Sequence, residues 1–143
     1  MDADTGKPTG REHWPAALQR QYDEQAGSGC VGSVLVSETD RVRVWHLHIA
    51  PGQRCNFHTH VLDYFWSAHA AGRARGYYND GRIVDVEHFK GETKHFTFGP
   101  GQSFTHSVEN IGDTDLLFTT VEFLDGANTP LPIPDSVRLK KFA

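Results

Sequence analysis

The stretch Gly52-Gln-Arg-Cys-Asn-Phe-His58-Thr-His60-Val-Leu-Asp63-Tyr64-Phe65-Trp66 is the part of this 143-residue chain from which the rest can be read. Alternate residues of a β-strand share a face, so the His58-Thr59-His60 spacing sends two imidazoles the same way. Two neighbouring histidines with no acidic partner repel when both are charged, whereas a divalent cation takes both as neutral ligands. Pro51-Gly52 supplies a turn before the pair, and the apolar Tyr64-Phe65-Trp66 follows it. A distant complement lies at His106-Ser-Val-Glu-Asn110.

Gly52, His58, His60 and Gly72 fall on the first motif of the cupin superfamily, Gly-x5-His-x-His-x3or4-Glu-x6-Gly, and His106 and Asn110 fall on the His-x3-Asn that ends the second. The chain resembles that superfamily from about residue 30 to about residue 125. The motif glutamate is missing: its slot falls on Phe65 or Tyr64, and the nearest carboxylate is Asp63. The Pro-x-Gly of the second motif is replaced by Gly99-Pro100-Gly101, slightly upstream. The His-x-His-x-x-Asp-Tyr form resembles a branch of small single-domain cupins that includes proteins named for beta-alanine degradation.

The resemblance implies an all-β, cupin-type double-stranded β-helix, a jelly-roll barrel, with a short N-terminal helix. It also implies one divalent transition metal per chain, held by His58, His60 and His106. Three imidazoles leave coordination positions open, the arrangement of a catalytic metal and not of a closed structural one. Imidazole suits Fe, Zn, Ni, Mn or Cu; iron comes first, because a three-histidine set resembles cupins that use ferrous iron and oxygen, such as thiol and diketone dioxygenases. Related small cupins are lyases or isomerases, and a non-enzymatic binding or sensor protein is the reading from a different class. Without a carboxylate ligand the ion keeps its full charge, which favours a small anionic or chelating substrate. Asp63 is read as a fourth ligand, an acceptor orienting an imidazole, or a turn residue. Tyr64 has the better strand parity for the pocket, as a hydrogen-bond donor or acid/base group.

Composition bounds the alternatives. A chain of this length forms one domain and buries about 70% of its extended surface, so residues 13–143 are read as a single domain. Cys30 and Cys55 are too few for a disulfide scaffold, and the polar start lacks the apolar core of a signal peptide, so a cytoplasmic location is expected. No apolar run approaches the roughly 18 residues of a membrane helix. The net charge of -4 gives no basic footprint for nucleic acid. The expected partner is a small molecule, together with a second copy of the chain: the arm, the Pro-rich tail and the strand of Trp45, His46 and His48 offer surface that one small barrel leaves uncovered.

Taken in order, residues 1–12 read as a loose or disordered arm, and Pro15 opens a short helix over residues 16–25 whose Trp14, Leu18 and Tyr22 form one stripe. Strands are expected over 31–36 and 41–49, split by a turn at Ser37-Glu-Thr-Asp40. His46 and His48 in the second form a rival His-x-His pair, or a half-exposed sheet surface. Asn79-Asp80-Gly81 signals a hairpin after Gly72–Tyr78. Arg73 and Arg75 alternate there with small residues and could hold a substrate carboxylate, or stand in solvent. Phe65, Trp66, His95 and Phe104 complete the expected pocket, with His69 as a further candidate. Cys55 reads as a small buried hydrophobe, Asn110 as the residue that fixes a turn, and Leu116–Leu124 as a central strand. The tail through Pro130, Pro132 and Pro134 must run extended outside the sheet interior.

Overall fold

The computed structural model describes residues 8 to 140. A helix, α1 (Ala16–Gln25), precedes the strands β1 (Val34–Glu38), β2 (Val42–Ile49), β3 (His58–His60), β4 (Tyr64–Ala68), β5 (Gly72–Tyr78), β6 (Ile83–His88), β7 (Thr93–Phe96), β8 (Phe104–Asn110) and β9 (Leu116–Phe123). The strands pair antiparallel in two sheets, ordered β1-β2-β9-β4-β7 and β3-β8-β5-β6. Neighbours far apart in sequence, β2 with β9 and β3 with β8, mark the crossovers of a jelly roll. The fold is the cupin-type barrel that the motifs implied.

Period-two burial decides which residues face the interior. On β2, Trp45 and Ile49 are fully buried while His46 and His48 are exposed. On β9, Leu116, Phe118, Thr120 and Glu122 are buried, while Leu117 and Phe123 stand in solvent. The apolar run is thus a central strand, between β2 and β4, but only one of its faces is covered. Ile49, Ala68, Ala74, Leu116 and Phe118 pack between the sheets, and burying such side chains stabilises by roughly 1.5–3 kcal/mol for each large one. A Cβ at position 72 would stand 2.7 Å from Leu116 Cδ2, so any larger residue there must push that buried side chain aside.

The Pro-rich tail runs extended, as expected, and lies along β1. Ile133 and Val137 pack on Val31, Leu35 and Trp45, the Leu139 amide donates to the Leu35 carbonyl at 2.9 Å, and Arg138 bonds Glu38 at 2.6 Å. A sheet edge that would otherwise be open is covered by the same chain. Residues 1–7 of the expected loose arm lie outside the described residues, whereas 8–12 are attached. Arg11 donates to the Asn79 carbonyl, its guanidinium lies 3.9 Å from the Tyr22 ring centroid, and a Cβ on Gly81 (φ +93°) would overlap the Gly10 carbonyl. The hydrogen bond and the cation–π contact each offset part of the entropy of ordering the segment. Two of the surfaces that motivated a homodimer are therefore occupied from within the chain.

Candidate metal centre

β3 is only three residues long and stands at the edge of its sheet, so its pairing with β8 fixes its register. His58 pairs directly with His106 of β8, Thr59 with Thr105 and His60 with Phe104. Directly opposed residues of an antiparallel pair project to the same face with Cβ atoms about 5 Å apart, so this register brings His106 to the His58/His60 pair. The reverse face is pinned to the end of α1. The Thr59 amide donates to the Ser28 carbonyl at 2.8 Å, its hydroxyl donates to the Ala26 carbonyl, and the Phe57 amide donates to Gln25 Oε1 at 3.0 Å. Trp14 stacks on Phe57 at 5.7 Å. Asn110 ties the far end of β8, donating to the carbonyls of Ile49 and Thr114 and accepting from the Gly112 amide, which is the turn-fixing role expected of it.

The donor atoms of His58, His60 and His106 lie within 4.8 Å of one another, and the set could hold a metal ion. His58 Nδ1–H donates to the Asn56 carbonyl at 2.9 Å, which fixes the tautomer and leaves Nε2 as the ligand atom. His60 Nε2 and His106 Nε2 are 3.1 Å apart. Two nitrogens each about 2.0–2.1 Å from one ion stand about 2.9–3.3 Å apart at right-angled to tetrahedral geometry, so the observed separation fits a shared ion. The Nδ1 atoms of His60 and His106 are buried without hydrogen-bond partners among the described residues. Ring contacts orient these imidazoles instead: His60 lies between Tyr64, 4.1 Å away and 13° from parallel, and Phe104, 4.9 Å away. Burial lowers all three histidines, His58 to about 4, and the mutual proximity of the rings lowers His60 and His106 further. Three neutral imidazoles are the protonation state a metal requires.

The triad opens into a cavity of about 520 Å³ between the sheets. Of the expected pocket residues, Tyr64, Trp66 and Phe104 line it. Burial pushes the Tyr64 phenol well up, and Tyr78 and Glu122 nearby push it further, so it stays protonated. Phe65 and His95 do not line the cavity; they alternate with Tyr64, Trp66 and Phe96 and meet each other on the outer face, 5.2 Å between rings. Arg73 and Arg75 also point outward, to Glu87 at 3.8 Å and bidentately to Asp85 at 2.7 and 3.0 Å, because the inner face of β5 belongs to Ala74, Gly76 and Tyr78. His69 bonds Thr119 on the exposed side.

Asp63 is not among the clustered ligands. Its carboxylate accepts from the Phe98 amide at 2.8 Å and its carbonyl from the Phe123 amide, so it is a loop anchor outside the site. The rival His46/His48 pair is exposed, with His48 bonded to Asp115 at 3.2 Å. Cys55 is packed against the core, where burial raises its thiol.

Sequence reasoning missed Tyr78, Arg82, His88, Glu92 and Lys94, which also line the cavity. Period-two alternation could have found Tyr78, since it shares a face with Ala74 and Gly76, but edge strands β6 and β7 carry no burial pattern to choose a face by. Glu122 was passed over inside an apolar run. It is buried, accepts from Trp45 Nε1 at 2.9 Å, and burial raises it to about 7.

No family model matches the chain, and no curated protein matches it. Solved structures do. A cupin domain from Bordetella pertussis is 24% identical over 61% of this chain and 85% of its own, with a TM-score of 0.54. A conserved protein with a double-stranded beta-helix domain from Klebsiella pneumoniae is 22% identical over 74% of this chain and 84% of its own, with a TM-score of 0.52. At these identities the likeness is one of fold. Among the described residues no helix is long and apolar enough to cross a membrane.

Proposed function

We propose that the chain is a metal-dependent enzyme acting on a small anionic or chelating metabolite, with oxygen-dependent oxidation at ferrous iron as the reaction to test first. The observation that carries this reading is the convergence of three neutral histidines, with no carboxylate among them, on the wall of a cavity able to take a small molecule. A bound ion there supplies a Lewis acid with open positions or, as ferrous iron, redox chemistry with oxygen. His58, His60 and His106 hold it. Tyr64, kept as the neutral phenol, donates a hydrogen bond beside it. Phe96, Phe104, Trp66 and Phe118 keep the surroundings largely apolar, while Lys94, and Arg82 in its pair with Asp80, bring cationic groups to the cavity wall.

Lyase or isomerase chemistry is the second reading, favoured by the same open three-histidine site with a hydrogen-bond-donating phenol beside it, an arrangement that needs no oxygen. Elemental analysis of protein purified without added metal, followed by oxygen uptake with a panel of small acids, thiols and diketones, tests the proposal. Turnover that persists without oxygen favours the second reading. Metal-loaded protein that binds ligands but converts none across the panel overturns both in favour of a binding or sensor role. Pairing of two chains through exposed strand surface is part of the proposal, and a sedimentation mass near 16.0 kDa at micromolar concentration would count against it.

A further inference from the structure

The cavity has a second polar end. His88 on β6 lines it with Glu92, and the two form a pair, His88 Nδ1 to Glu92 Oε1, at 2.9 Å. The His88 ring is packed edge-on against Trp66 at 5.2 Å and Phe118 at 5.0 Å, and its side chain is only 10% exposed. Glu92 also receives the Phe89 amide at 3.4 Å, so the turn between β6 and β7 holds the carboxylate in place. With Nδ1 engaged by the carboxylate, His88 Nε2 is left with no protein partner among the described residues, and it accepts a hydrogen bond when the ring is neutral. Along β4, Tyr64 and Trp66 share the inner face two residues apart; His60 stacks on the first and His88 meets the second. The pair therefore lies on the order of 10 Å from the triad. Between the two ends the walls are apolar, through Ala74, Val84, Val86 and Val108.

We infer that His88, held by Glu92, is a specificity-determining site that accepts a hydrogen bond from the far end of an elongated substrate whose anionic or chelating head is at the triad. The distal group is a donor, a hydroxyl or an amine, because Nε2 of the neutral ring and the carboxylate beside it are both acceptors. The inference rests on the metal-site reading for the position of the head.

The test measures binding, by calorimetry, of straight-chain carboxylates of increasing length to the metal-loaded protein. Each length is compared with its ω-hydroxy, ω-amino and ω-carboxylate counterparts. The expected result is a gain of about tenfold from the hydroxyl or amine at one chain length, the order of one well-placed buried hydrogen bond, and none from the second carboxylate. His88→Phe, which keeps the aromatic packing, should remove that increment, and Glu92→Gln, which keeps an acceptor for the turn, should reduce it. A merely structural pair would leave the increment intact in both variants. A gain absent at every length, a gain that survives His88→Phe, or a preference for the dicarboxylate overturns the inference. If His58→Ala binds the unsubstituted carboxylates as tightly as the metal-loaded protein, the metal-site reading has failed instead, and the effect of His88→Phe is then read independently of it.

Discussion

Two His-x-His pairs lie on strands of the same barrel, and they share nothing but spacing. His58 and His60 on β3 are buried, face the cavity and meet a third imidazole; His46 and His48 on β2 are exposed, and among the described residues the side-chain partner of the pair is Asp115, on His48. Strand periodicity guarantees only that the two rings of a pair point the same way. Whether that way is inward depends on which residues between them must be buried. On β2, Trp45 and Ile49 claim the interior, because their transfer from water outweighs anything two imidazoles gain there. On β3 the intervening residue is Thr59, whose backbone and hydroxyl are satisfied by the turn after α1, and the interior is left to the histidines.

The sharpest way to break this contrast is to delete one ring from each pair. His58→Ala or His106→Ala should lose the metal and lower turnover by more than about a hundredfold, since even outer partners of a metal ligand are worth about 10–100-fold. Both variants should stay folded, because the core of Ile49, Leu116 and Phe118 is assembled without the site. Metal content and circular dichroism together check this; wholesale unfolding would make the site structural.

A second contrast is in pH. In metal-free protein His58 has a folded value of about 4 against an ordinary 6.5. A lowered value in the folded state means that the unfolded chain binds the proton first. Stability is therefore full above about pH 6.5 and falls toward pH 4, by about 3 kcal/mol from His58 alone, with His60 and His106 acting in the same direction. Urea midpoints between pH 7.5 and 4.5 should fall, and fall less in His58→Ala.

Glu122 works against that slope. Its carboxyl is raised from 4.5 to about 7, so the folded state holds the proton more tightly than the unfolded one. Stability is lost as pH rises between about 4.5 and 7, by up to about 3 kcal/mol. Glu122→Gln keeps an acceptor for Trp45 and should steepen the acid loss caused by the histidines, while raising the melting temperature at pH 8. A variant whose pH profile matches the wild type would remove Glu122 from the account.

The smallest effect belongs to the exposed pair. The His48–Asp115 contact is a half-exposed surface pair worth about 0–1 kcal/mol, so His48→Ala should leave metal content unchanged and shift the melting temperature by no more than a few degrees. Loss of metal in this variant would contradict the assignment of the centre to β3 and β8.

Much of this protein could be read from its sequence because the signals were local. Helix α1 follows from Pro15 and its run of helix formers, β2 and β5 from period-two alternation, the hairpin from Asp80-Gly81 and the extended tail from its prolines. The cupin pattern marks His58, His60 and His106 as one ligand set, and the pairing of β3 with β8 brings them together. What the sequence left open was the choice of face and partner. Arg73, Arg75, Phe65 and His95 were legible as strand residues, but alternation is symmetric between inside and outside until a second sheet packs on one of them. Asp63 stood beside the motif in sequence and yet turns to the Phe98 amide, because a loop between β3 and β4 interrupts the alternation. His88 ends a strand whose exposed pattern names no inner face, Glu92 lies in the turn that follows it, and only the packing of the two sheets brings both to the cavity wall. Period and turn chemistry act over a few residues and are written in the chain, whereas the side of a sheet that faces the cavity is set by packing between strands far apart in sequence, which only the tertiary structure decides.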